Sequence, residues 1–244
     1  MRRAALTAPV ARDYRPLVVD MSHDPWPEPK GKRARTRRLL ILAAAEVFER
    51  KSVERAKIDE IADLAGVSVG TIYSHFGSKE GLAVAYLDGI FDLLDRDLEQ
   101  VKSESSPIRR VLAAGDVYLQ HVIDYPVASR MATVRAAYPP AEHLDAAAQA
   151  LDRRMVTTLM GVASDLKQSM DTGEIPQAPI DATMVFVWGA WHGIAVGVAR
   201  CDHLAIPPET ALRAARRGRE MLLGTLAADR ASGLLEPTHV REAG

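Results

Sequence analysis

Apolar side chains along this chain recur every three to four residues, and no stretch alternates as a strand would. Ile41, Ala45 and Phe48 fall at i, i+4 and i+7, flanked by Leu42 and Ala44, and predict a helix over 35–50. Ile58, Ile61, Ala62 and Ala65 repeat the spacing in a shorter segment. Gly66 ends it by admitting the left-handed residue that closes a helix. Ser68 is a good N-cap for a third, very short helix, in which Ile72 and Phe76 share the inward face until Gly77 stops it. Ser78 then caps a longer helix running to about 102.

The remainder reads as long helices with clear punctuation: 108–125, 126–137, 142–172, 181–201 and 208–227. Pro107, Pro126, Pro139, Pro140, Gly173 and Pro208 mark their ends. The segment 182–199 is apolar at nearly every position and reaches the lower edge of a membrane-spanning length. Its three glycines and amphipathic neighbours favour a helix buried on all sides of a bundle instead. The expected architecture is all-α. Residues 1–33 form a disordered, partly basic extension and 34–94 a three-helix domain with its central motif at about 57–76. Residues 95–228 form a helical bundle and 229–244 a tail. Met21 is an alternative start, because 21–33 reads as an ordinary polar leader.

Composition adds two constraints. Hydrophobic residues make up 48% and charged residues 26%, which fits a globular chain with a substantial core. The single cysteine, Cys201, excludes an internal disulfide and fits a reducing cytosol. The net charge of −1 conceals an asymmetry: residues 30–81 carry eleven Lys and Arg against seven Asp and Glu, while 82–244 sum to −5. A basic front before an acidic back points to a polyanion at the front.

Three short helices with a glycine-bearing turn before the third make a helix-turn-helix, whose last helix enters the major groove of DNA. Its outer face must then be small. Val69 and Thr71 offer methyl groups to thymine, Thr71 also offers a hydroxyl, and Gly70 lets backbone approach. Tyr73 and His75 stand where sugar and phosphate would be. Lys57 and Lys79 open helices, where a cation faces the positive end of the dipole at a cost of about 0.3–1 kcal/mol. A phosphate beside each would offset that cost. The basic run from Lys30 to Arg38, with Arg37 among its candidates, suits minor-groove or phosphate contact.

Residues 34–94 resemble the DNA-binding domain of the tetracycline-repressor (TetR) family. The likeness rests on Ile41-Leu42, Ala44-Ala45, Phe48, Ile58, Ile61-Ala62, Ala65-Gly66-Val67-Ser68, Gly70-Thr71-Ile72-Tyr73, His75-Phe76, Ser78-Lys79-Glu80 and Leu82. The resemblance implies base contact by Val69, Gly70, Thr71 and Tyr73, and phosphate contact by Ser68, Tyr73, His75 and Lys79. It also implies a homodimer, a helical ligand-binding domain, and a repressor released from a double-stranded operator by a small molecule. The chain departs from the family pattern at Ser52-Val53, where many members have Gly and an aromatic residue, and at Lys57, where they have Thr.

Behind the motif, Gly189, Gly193 and Gly197 recur every fourth residue and let another helix approach closely. A second copy of the chain is the simplest partner, and an intramolecular neighbour the alternative. Candidates for an apolar effector cavity are Tyr86, Phe91, Tyr118, Met131, Tyr138, Met155, Met160, Phe186, Trp188 and His192. Fewer than half are expected to line it, the others being core. No Lys or Arg cluster marks an anionic ligand, and no cofactor or metal is expected. Zinc-protease, di-metal, Walker and nucleophile-elbow motifs are absent, so the chain is not expected to be an enzyme. A helical-bundle enzyme and a membrane-associated protein are the alternatives to a cytoplasmic, nucleoid-associated regulator.

Overall fold

The computed structural model describes residues 29–137 and 146–228, and these form nine α-helices and no strand. They are α1 (Lys32–Lys51), α2 (Ile58–Ala65), α3 (Val69–Phe76), α4 (Lys79–Val101), α5 (Pro107–Asp124), α6 (Pro126–Ala137), α7 (Ala146–Asp171), α8 (Ile180–Ala199) and α9 (Pro208–Ala228). The expected start of α7 and the candidate Tyr138 lie outside the described residues. The chain divides into two compact units, Met1–Ala83 and Val84–Gly244, at a point within α4.

In the first unit Leu40, Ala44, Phe48, Ile61, Ile72 and Leu82 form the core, each at most 2% exposed. The buried stripe of α1 is turned one residue from the predicted one: Leu40, Ala43 and Val47 are buried, whereas Ile41 and Ala45 are half-buried. The turn after α1 explains the departure at Ser52. Its φ is 71° and ψ 161°, and it is the sole non-glycine of positive φ among the described residues. That region is open to glycine and strained for other residues. Ser52 N–H caps Phe48 O and its carbonyl accepts from Ala56 N–H, so the turn is fixed at both ends.

Lys57 is the N-cap of α2, but its side chain makes no cap. Glu60, in the first turn, accepts from Lys51 Nζ at 2.6 Å. The Lys51 ammonium, first among the causes, holds the Glu60 carboxyl below its usual pKa.

Two apolar clusters lie among the described residues of the second unit. Val111, Leu166, Met170 and Val187 join α5, α7 and α8, and Leu119, Val122 and Ala195 join α5 to α8. Polar ties hold the outer helices. Arg110 donates to Asp165 across α5 and α7. Arg154 on α7 reaches Asp88, Asp92 and Asp95 on α4 at 3.1, 2.7 and 2.6 Å. Glu174 caps α5 from afar, accepting from Ser106 Oγ and Ile108 N–H.

One expectation is corrected. The apolar helix α8 is not buried on all sides: only Val187, Ala195, Gly197 and Ala199 are buried, and Val185 and Phe186 are 72% and 64% exposed. It is also the one described helix long and apolar enough to cross a membrane. Uniform apolarity showed that every face avoids water, and it could not show which face is covered within one chain.

Candidate functional site

The helix-turn-helix is built from two caps. Gly66, at φ 64° and ψ 35°, ends α2 in the left-handed region. Its N–H donates to Asp63 O, and Val67 N–H donates to Ala62 O. This double closure turns the chain into α3 within three residues. Ser68 then accepts from Thr71 N–H, and its hydroxyl lies 3.0 Å from Thr71 Oγ1. The cap therefore also fixes the Thr71 hydroxyl. Ile72 is fully buried and pins α3 from behind.

The opposite face of α3 is open. Ser68, Gly70 and Tyr73 are exposed, and Val69, Thr71 and His75 half-buried. A Cβ at Gly70 would meet only Ser68 Oγ, at 3.8 Å, so glycine is not required there by packing. Lys57 is exposed. Two predicted cations have partners within the unit. The guanidinium of Arg37 lies 4.7 Å from the centroid of the Phe76 ring, and Phe76 is half-buried rather than fully inward. Lys79 Nζ donates to the carbonyls of Glu54 and Ala56, both at 3.1 Å. Those carbonyls supply the compensation for a cation at a helix start that the sequence attributed to phosphate, and one of the three ammonium N–H donors remains. His75 is less easily protonated than a free imidazole, because of burial and then the charges of Arg33 and Arg37.

A cavity of about 230 Å³ lies within the second unit. Phe91, Tyr118, Met155, Trp188 and His192 of the expected set line it. Tyr86 is buried and Met131 half-buried, both off its wall. Met160, 67% exposed, and Phe186 lie on the surface. Sequence reasoning missed Ser129, Thr133 and Thr158, and also His121, which shares the α5 face of Tyr118 at i+3. Tyr118 OH and His192 Nδ1 are 3.1 Å apart, and Trp188 stacks on His192 with centroids 5.3 Å apart. Burial pushes the Tyr118 phenol up to about 12. His121 Nε2 meets Asp97 Oδ2 at 2.7 Å, while its Nδ1 is buried without a partner. Gly115 is needed beside this wall, since a Cβ there would stand 2.1 Å from the Trp191 ring.

The glycine stripe of α8 divides. At Gly197 a Cβ would come within 2.3 Å of Ile206, so this glycine serves a contact within the chain. Gly189 and Gly193 are exposed, and a Cβ at either meets nothing within 4 Å. They share one helical face with Ala182, Val185, Phe186 and Ala190, all exposed. Among the described residues no three His, Cys, Asp or Glu side chains gather as a metal site.

Residues 40–86 match the family described as "Bacterial regulatory proteins, tetR family". The chain is 30% identical over 105 residues to the HTH-type transcriptional regulator RutR of Escherichia coli K12, covering 41% of this chain and 50% of RutR. It thus spans about half the length of that relative. Solved structures share its fold, AibR and FadR among them. AibR, in complex with isovaleryl coenzyme A and operator DNA, has a TM-score of 0.60 at 17% identity over 76% of this chain and 97% of AibR. FadR from Bacillus subtilis, in complex with stearoyl-CoA, has a TM-score of 0.57 at 16% identity over 72% and 96%. Residues 40–86 of this chain thus form a helix-turn-helix domain of the TetR family, and its described helices share the all-helical fold of these solved structures.

Proposed function

We propose that the protein is a homodimeric repressor that acts in the cytoplasm on the nucleoid. It holds a palindromic operator and is released by a small apolar effector. The observation that carries this reading is the outer face of α3, small and open at Gly70, Thr71 and Tyr73, with Ile72 fully buried behind it. Such a face fits the major groove, with Val69 and Thr71 against base edges. Ser68, Tyr73, His75, Lys57 and the remaining N–H of Lys79 face phosphates. Arg37 acts chiefly by bracing Phe76.

The effector occupies the cavity behind Trp188 and Trp191, a reading supported by the ligand-bound relatives of the same fold. The exposed face of α8 is covered by a second copy, and the dimer meets two half-sites one helical turn of DNA apart. Effector binding favours a dimer whose spacing no longer fits.

Chromosome-wide mapping of bound DNA gives the operator, and titrations on it test the site. Lys57→Ala should weaken every sequence alike and lower the salt slope by about one. Thr71→Ala should keep the slope and relax preference at one base pair by about 1 kcal/mol. Unchanged slope and preference in both variants, or no DNA bound at low salt, would sink the assignment.

A further inference from the structure

The cavity also specifies the chemistry of its occupant, an inference that rests on reading it as the effector site. We infer that it takes a compact, uncharged, largely hydrocarbon molecule carrying one hydrogen-bond acceptor, such as a ketone or ether oxygen, and that the Tyr118–His192 pair reads that acceptor.

Size comes first. A dry apolar cavity of about 150 Å³ holds benzene. At about 230 Å³, this one holds a molecule of roughly nine or ten non-hydrogen atoms by the same proportion. Charge is next. No Lys or Arg is among the described residues that line it. His121 is already matched by the Asp97 carboxylate at 2.7 Å and brings no unbalanced positive charge. An anion would lose its water with nothing to replace it.

Among the polar groups of the wall, His121 is held by Asp97 through Nε2 and its buried Nδ1 has no partner, which makes it a second polar point beside the Tyr118–His192 pair. Ser129 Oγ donates to Tyr125 O, Thr133 Oγ1 to Ser129 O, and Thr158 Oγ1 to Arg154 O. Those three hydroxyl protons are turned back onto their own helices. Tyr118 and His192 differ, because each is the other's hydrogen-bond partner at 3.1 Å. If the phenol donates to Nδ1, the imidazole keeps an Nε2–H. If Nδ1–H donates to the phenol, the phenol keeps its O–H. Either tautomer leaves the pair one unused donor. A ligand that covers this donor without an acceptor leaves it unpaired at a cost, so a ligand that brings an acceptor is favoured over one that does not. Trp188, stacked on His192 and 5.1 Å from the Tyr118 ring, holds both rings in place.

The test titrates the full-length protein, without DNA, with indan-1-one, indane and indane-1-carboxylate, followed by tryptophan fluorescence. Trp188 and Trp191 report directly from the wall. The ketone should bind at least tenfold more tightly than either the hydrocarbon or the acid. In the Tyr118→Phe/His192→Phe double variant, which removes every donor of the pair, the ketone's advantage over indane should fall below twofold, and indane binding measured in the same protein certifies the cavity. Four results overturn the inference: equal binding of ketone and indane, equal binding of the acid, failure of all three at millimolar concentration, or a double variant that keeps the preference, as an indole donor would allow. The wild-type comparison decides charge and polarity even if the variant does not fold. Operator release is scored separately. A ketone that binds and leaves DNA affinity unchanged would defeat the effector role and leave this inference standing.

Discussion

At the scale of single residues, the first unit holds two side chains in states that cost it something. Ser52 sits at φ 71°, ψ 161°, where strain amounts to about 1–3 kcal/mol for a non-glycine residue. Its hydroxyl recovers part of this by donating to Glu54 at 2.7 Å, an exposed bond. Ser52→Gly should therefore raise the stability of the protein by about 1 kcal/mol, after the greater unfolded entropy of glycine is counted. A higher denaturant midpoint at constant m-value checks it. The strain was half legible: the departure from Gly at 52 was visible in the sequence, but the φ that makes it matter was not. His75 carries the second cost. Its protonation is disfavoured by burial and by Arg33 and Arg37. A phosphate beside it would reverse the balance, so the DNA complex would bind more protons than the free protein below the ordinary value near 6.5. Affinity should then rise as pH falls through that window, and His75→Gln should flatten the rise in titrations at fixed salt. A wild-type affinity that falls with pH would remove His75 from the interface.

At the scale of elements, the helices were legible because their punctuation is chemical. Gly66, Gly77 and Pro126 act through backbone conformation and Ser68 through its own hydroxyl, and α2, α3 and α6 lie where those residues put them. The site was less legible because it depends on which side chains meet. Periodicity could not say that Lys79 would reach back to Glu54 O and Ala56 O, or that Arg37 would lie over Phe76, since both partners come from other elements. Nor could it separate cavity wall from outer surface: Met155 lines the cavity, whereas Met160, five residues on along α7, is exposed. Gly197 shows the same limit. Its spacing grouped it with Gly189 and Gly193, yet Ile206 fills the space above it. Gly197→Ala should cost about 1–3 kcal/mol through overpacking between α8 and the segment before α9. Ile206→Val in the same chain should recover part of that loss in thermal melts.

At the scale of the whole molecule, one chain leaves a face of α8 uncovered. Ala182, Val185, Phe186, Gly189, Ala190 and Gly193 are spaced as one side of a helix, and all are exposed. Val156 and Met160 on α7 add further exposed apolar surface in the same unit. Contiguous apolar surface of this kind is rare on monomers and marks an interface. The two glycines make a clean test, because a Cβ at Gly189 or Gly193 meets nothing within 4 Å in the single chain. Gly189→Glu and Gly193→Glu should not harm the fold of the protomer, and replacing a mid-helix glycine should favour α8 by up to about 1 kcal/mol. Two facing glutamates would, however, be driven into an interface that admits only close backbone approach. The double variant should sediment as a folded monomer at concentrations where the parent is a dimer. Its operator affinity should fall by about two to four orders of magnitude, because each half-site is then bound without the effective concentration that linkage provides. Contact with a single half-site should survive with its base preference intact, since α3 lies in the other unit and owes its caps to Gly66 and Ser68. If the variant stays dimeric, the interface lies elsewhere. If the parent is itself a monomer that binds the full operator, the two-fold reading fails.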